Sequence, residues 1–217
     1  MIRLRPTFVV IAAACVIAAA GHSFAGAYDD LLGAIDNNDS SLVAQLLVRG
    51  MDVDTVDREG NTLLMRAARE GHNHILELLL RNKANVLKIN KYGDSALLLA
   101  AFNGRAQAVE KLVAAGAAIN PKGWTPLIYA AFGGYTTIAR LLLEKGADVD
   151  AAAPNGVTAL MAAARNGHLK TVQLLLDHGA RLDLRNQDGA TASDWAAAAG
   201  NSDIADLLKQ RARTAKP

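Results

Sequence analysis

Glycine spacing constrains this chain more than any other feature. Gly60, Gly93, Gly123, Gly156 and Gly189 stand 33, 30, 33 and 33 residues apart. A second set, Gly71, Gly104, Gly134, Gly167 and Gly200, follows the first at a constant 11 residues. A period of this length means that one small unit is repeated and that each copy buries its apolar face against the next. The architecture to expect is a solenoid, not a single closed core.

The interior of each unit has a mechanical reading. Two residues after the first glycine stands Thr62, Ser95, Thr125, Thr158 or Thr191, whose hydroxyl suits the N-cap of a helix. Small residues follow at Ala67-Ala68, Ala100-Ala101, Ala130-Ala131, Ala163-Ala164 and Ala196-Ala197, where a helix must approach its neighbours closely. The second glycine supplies the positive φ that ends this helix. A second helix then carries Leu78-Leu79-Leu80, Leu112-Val113, Leu141-Leu142-Leu143, Leu174-Leu175-Leu176 and Leu207-Leu208 toward the core. Gly116-Ala117, Gly146-Ala147 and Gly179-Ala180 close three of the units.

These residues carry a family resemblance. Gly123-Trp124-Thr125-Pro126-Leu127 through Ala130-Ala131 resembles the ankyrin signature, and Gly167-His168-Leu169-Lys170-Thr171-Val172 resembles the opening of its second helix. The resemblance spans 28–210 and implies an all-α ankyrin-repeat solenoid of stacked helix-turn-helix units with β-turn fingers. Six units are expected, at about 28–56, 57–89, 90–119, 120–152, 153–185 and 186–210, the first and last being degenerate caps. A basic tail, 211–217, follows. In the first unit Asn38 stands where the later glycine belongs.

Three departures carry expectations of their own. The family's histidine after Thr-Pro-Leu is replaced by Met65, Leu98, Ile128, Met161 and Asp194, so apolar packing takes over most of a hydrogen-bonding layer. This style resembles exported bacterial ankyrin proteins. Lys83 stands where a closing glycine is expected, which predicts a strained turn. Three residues are missing between Ala117 and Gly123, so the finger around Asn120-Pro121 is expected to be blunted.

The first 27 residues read as a signal peptide. Arg3 and Arg5 precede an apolar run from Thr7 to Ala20, and small residues at Ser23, Ala25 and Ala27 offer cleavage after Ala25 or Ala27. A periplasmic or secreted location is the expectation, and an uncleaved membrane anchor the alternative, although the run is short for a span. A lipoprotein reading through Cys15 is disfavoured because apolar sequence continues beyond it. Cys15 is the only cysteine, so a cleaved chain has neither a disulfide nor a thiolate metal site. Setting aside Arg3 and Arg5 removes two of the 23 basic residues and leaves as many as the 21 acidic ones. A chain so balanced lacks the basic excess that draws proteins to phosphate backbones, and nucleic acid is not expected as a partner.

Catalytic signatures are absent from the sequence, and no enzyme is expected. Asp52, Asp54, Asp57, Asp148, Asp150 and Asp183 fall in fingers and turns, where Asp commonly bonds to nearby backbone. His72 and His74 invite a metal reading, but residues two apart diverge around a helix. His72 and His168 instead share the position after the second glycine, and His178 lies in a closing turn. No metal, cofactor or stable membrane insertion is expected, and the chain is expected to be a monomer.

A binding reading comes from the aromatics that the core does not need. Tyr92 and Trp124 flank turn glycines, and Phe102 and Phe132 lie two residues before Gly104 and Gly134. The family geometry places both kinds of position along the concave groove, where four rings in adjacent units would form one apolar patch. Arg69, Lys91, Lys122, Asn155 and Arg165 would supply its polar rim. The function expected is a non-catalytic adaptor, scaffold or inhibitor that docks a protein partner there. Two alternatives stay open: the rings stiffen the stack, or they line a pocket for a small molecule in a ligand- or metal-responsive protein. Trp195, in the last unit, is expected to pack as part of a cap.

Overall fold

The computed structural model describes residues 26–214. The apolar leader with Cys15, Ser23 and Ala25, and the end of the tail with Lys216, lie outside them. Among the described residues the chain forms twelve helices in six pairs, an all-α solenoid as the glycine spacing predicts and of the helix-pair kind that the family resemblance implies. The first pair is α1, over 26–36, and α2, Ser40–Val48. The first helices of later pairs are α3 (Leu63–Glu70), α5 (Ala96–Phe102), α7 (Pro126–Phe132), α9 (Ala159–Arg165) and α11 (Ala192–Ala198). Their second helices are α4 (Asn73–Arg81), α6 (Ala106–Ala114), α8 (Thr136–Glu144), α10 (Leu169–Asp177) and α12 (Ser202–Thr214). First helices stack on first helices, and second helices on second helices.

Each first helix begins as its sequence dictates. The hydroxyls of Thr62, Ser95, Thr125, Thr158 and Thr191 accept the N–H three residues on, at 3.2 to 3.3 Å. The receiving residues are Met65, Leu98, Ile128, Met161 and Asp194. The first four pack into the core or its edge, whereas the Asp194 carboxylate returns a bond to the Thr191 N–H at 2.9 Å and closes a capping box. That reciprocity holds Asp194 below the usual carboxylate range, its backbone bond from Thr191 being the largest cause and the hydroxyl bond the next.

Burial follows the repeat with two refinements. The alanine pairs from Ala67-Ala68 to Ala163-Ala164 are fully buried, but Ala197 is exposed, no further helix pair covering it among the described residues. Leu79, Leu112, Leu142, Leu175 and Leu208 are sealed from solvent together with the residues three and four earlier, and Leu174 is buried too, while Leu78, Leu80, Leu141 and Leu143 are half-buried. A second helix therefore shows the core a narrow stripe, as an amphipathic surface helix should.

Units are also locked end to end by the residue after the second glycine. Arg105, Tyr135, His168 and Asn201 fold back over Gly71, Gly104, Gly134 and Gly167 of the preceding unit. Three of them donate to a carbonyl two residues before that glycine: Arg105 to Arg69 at 3.0 Å, His168 to Phe132 at 2.9 Å, Asn201 to Arg165 at 2.8 Å. The position explains His168 as a structural residue. His72 occupies it in its own unit, where its Nε2 is buried without a partner among the described residues.

Three further expectations meet the structure. Lys83 adopts φ +66° and Asn38 φ +56°, both in the left-handed region that favours glycine. Antiparallel bridges Val56 to Thr62, Ile89 to Ser95 and Ala152 to Thr158 close the second, third and fifth fingers, while the blunted fourth has none. Trp195 is half-buried against the core, with the Arg165 guanidinium 5.1 Å above its ring.

Candidate functional site

The third finger, the fourth finger and helix α7 enclose one cavity of about 280 Å3. Val86, Leu87, Ile89 and Tyr92 form one wall, Ala118, Pro121, Lys122 and Trp124 the other, and Leu98 and Tyr129 reach it from the helices. The shape follows from the deletion. In the second and third fingers Asp57 and Asn90 each shape the turn by accepting two backbone N–H groups: Glu59 and Asn61 in one case, Tyr92 and Asp94 in the other. The fourth finger is too short for that staple. Asn120 instead reaches the root of the fifth finger, donating to the Gly146 carbonyl and accepting the Asp148 N–H, each at 2.9 Å.

Tyr129, which the sequence reading passed over, organises the rings. Its ring lies 5.4 Å from Trp124 in a tilted stack and 5.2 Å from Phe102 edge-on, so it joins two adjacent units. Burial pushes its phenol pKa up, with nearby Asp94 adding to the effect. Around it Tyr92 is 75% exposed, Phe132 49%, Phe102 48% and Trp124 37%. Phe132 lies one turn beyond Tyr129 on α7 and has no ring partner among the described residues.

The expected rim divides. Lys122 lines the cavity, and Arg69 borders a neighbouring hollow with Tyr92 while pairing with Glu70 at 2.9 Å. Lys91 turns away, its ammonium held by the Arg58 carbonyl at 2.6 Å. Asn155 and Arg165 are not brought to the cluster. The Asn155 side chain accepts the Val157 N–H at 3.3 Å within its own finger, and Arg165 lines a separate hollow with Trp195 and Asp188. Each of these side chains is drawn off by a different partner: Lys91 by the preceding finger, Asn155 by its own, and Arg165 by Trp195 of the following unit.

The six aspartates flagged from sequence all have structural hydrogen bonds, four within their own turn or unit and two to the next unit. Asp52 and Asp148 accept from the N–H two residues on, Asp54 and Asp150 from Asn85 and Arg181 in the next unit, Asp57 from Asn61 and Arg66, and Asp183 from Arg181. Among the described residues no three His, Cys, Asp or Glu side chains gather at metal-binding distance, and no helix is long and apolar enough to cross a membrane.

Comparison with known proteins agrees with this architecture. The family model for ankyrin repeats (3 copies) matches residues 31–122, 88–153 and 150–216. Similar proteins include an ankyrin repeat protein of Rickettsia bellii, 31% identical over 56% of this chain and 38% of its own length. The nuclear factor NF-kappa-B p105 subunit of Rattus norvegicus is 38% identical over 40% of this chain and 9% of its own. The ankyrin repeat and KH domain-containing protein mask-1 of Caenorhabditis elegans is 35% identical over 51% and 4%. The chain thus spans less than two-fifths of the length of these relatives.

Proposed function

The chain belongs to the ankyrin-repeat family, and from that premise we propose that it is a non-catalytic interaction module whose docking surface is centred on Tyr92, Trp124, Tyr129, Phe102 and Phe132. Ankyrin repeats are protein-protein interaction modules. One observation carries the choice of surface: five rings gather in two adjacent units whose core is already filled by Leu and Ala, and four of them keep over a third of their area in solvent. Aromatic side chains with little entropy to lose are effective anchors for a partner. The preformed stack itself reorganises little on binding. Lys122 and Arg69 supply charge at the edge.

The module acts outside the cytoplasm, as the leader at 1–27 supports. Cleavage after Ala27 removes Ala27, which packs against the core, whereas cleavage after Ala25 keeps it. The earlier position is therefore favoured. Fusing the leader to a reporter and fractionating the cells tests export, and a reporter left in the cytoplasm refutes it. For the surface, the chain and its Trp124→Ala/Phe132→Ala double variant are used to capture partners from extracellular or periplasmic extract. Loss of capture by a variant with an unchanged helical spectrum is expected. Equal capture by both sinks the assignment.

A further inference from the structure

Neighbouring fingers are joined at their tips by one recurring backbone bond. The Lys91 N–H donates to the Glu59 carbonyl at 3.2 Å, and the Gln187 N–H to the Asn155 carbonyl at 3.0 Å. Each donor stands two residues before its turn glycine, and each acceptor one residue before the preceding finger's glycine. The same two side chains reinforce the join, Lys91 on the Arg58 carbonyl and Gln187 on the Pro154 carbonyl at 2.8 Å. In the fourth and fifth fingers the donor position holds Pro121 and Pro154. Proline has no N–H, so neither join can form. The matching carbonyls, of Tyr92 and Lys122, accept no backbone hydrogen bond among the described residues.

Space around the glycines reports the same break independently. A β-carbon on Gly60 would meet the Lys91 nitrogen at 3.4 Å, and one on Gly156 the Asn186 Cα at 2.8 Å. At Gly93 and Gly123 it would meet nothing within 4 Å. At their tips the fingers are thus joined second to third and fifth to sixth, and the fourth lacks that join to either neighbour, although Asn120 ties its base to Gly146 and Asp148 at the root of the fifth. The cavity beside Tyr129 is the gap on its third-finger side.

We propose that this gap receives an extended segment of the partner protein, which donates a backbone N–H to the Tyr92 carbonyl and seats one large apolar side chain between Tyr92, Trp124 and Tyr129. The proposal rests on the interaction reading above and specifies its partner's chemistry. An acceptor whose donor has been replaced by proline is an open edge, and a peptide backbone is the group that completes such an edge. The cavity, at about 280 Å3, falls at the foot of the roughly 300–1,000 Å3 range of small-molecule sites and suits a single side chain. Leu87 and Ile89 give it exposed apolar walls, and the Lys122 ammonium, without an ion-pair partner among the described residues, favours an acidic neighbour beside the anchor.

The test selects linear peptides from a phage-displayed library on the folded chain and measures their affinity by fluorescence polarisation. Ala118, an exposed residue of the cavity wall, is the site of the blocking variant Ala118→Phe. Enriched peptides should share a large apolar residue and bind Ala118→Phe roughly tenfold or more weakly. N-methylation of one particular peptide amide should cost a similar factor on the unaltered chain, so a folding defect in the variant would not leave the question open. Failure to enrich any peptide overturns the proposal, as does undiminished binding to a folded Ala118→Phe or tolerance of N-methylation at every position. Peptides that ignore both changes yet lose affinity for Trp124→Ala/Phe132→Ala overturn the gap and leave the aromatic surface standing. Peptides indifferent to all of these changes count against both.

Discussion

The backbone of Asn186 passes so close over Gly156 that a β-carbon on that glycine would lie 2.8 Å from the Asn186 Cα. Gly93 holds the same place in its own finger with φ +85°, against +78° for Gly156, but faces open space. The two glycines thus share a backbone requirement and differ in what stands opposite. Alanine at Gly93 should cost only the left-handed strain, about 1 kcal/mol. Alanine at Gly156 adds an overlap that no side-chain rotation relieves, and should cost roughly 1–3 kcal/mol more. Urea unfolding of both variants measures the difference, and equal midpoints would mean that the fifth and sixth fingers are not held together.

Lys83 offers the opposite experiment. Its φ of +66° is imposed by a turn that other units make with glycine. Lys83→Gly should raise stability by about 1 kcal/mol, since relief of strain outweighs the added freedom of the unfolded chain. Thermal unfolding at matched pH would show a higher midpoint, and an unchanged or lower one would place the strain elsewhere.

Arg66 of α3 joins the first pair of helices to the second finger. Its guanidinium bonds to Asp36 at 2.6 Å and to Asp57 at 3.0 Å. Burial works to raise the Asp57 pKa, but bonds from the Asn61 side chain and backbone, and from Arg66, outweigh it and hold the group below its ordinary value. On acidification the unfolded chain therefore takes up the proton first, near pH 4. The stabilisation is complete above that range and lost as pH falls through the folded value. The stability gap between the parent chain and Asp57→Asn should accordingly be wide at pH 7 and narrow at about pH 3. A gap independent of pH contradicts the assignment.

Removing Tyr129 should loosen the aromatic surface as well as the stack. Two ring contacts, each worth about 0.5–1.5 kcal/mol, are lost in Tyr129→Ala, so unfolding should ease by roughly 1–3 kcal/mol. Trp124 fluorescence should shift to the red at the same time as its neighbour is replaced by water. A variant with unaltered emission would show that Trp124 does not rest on Tyr129 in solution.

Tyr129 also shows where reading the chain falls short. Arg66, Leu99, Tyr129, Ala162 and Trp195 share one register, four residues after the N-cap, and no other position of the first helix mixes charge, aliphatic, aromatic and methyl so freely. That variability was the available signal, because a position that every unit had to bury would not tolerate an arginine. The rim was harder. Asn155 matches Lys122 by spacing, and Lys91 and Arg165 fall at other groove positions, yet the Arg58 carbonyl holds Lys91, the Val157 N–H takes the Asn155 side chain, and Trp195 draws Arg165.

The sequence by itself determined the period, the caps, the positive-φ turns and the blunted finger, because each depends on residues within a few positions of one another. Where the chain bends left-handed, or where a hydroxyl meets an N–H three residues on, local sterics leave little choice. Which fingers join, which rings meet and which charges remain free were decided only by the tertiary structure. Those contacts link residues about one repeat apart, and whether they form depends on how closely successive units pack and on which group reaches a shared partner first.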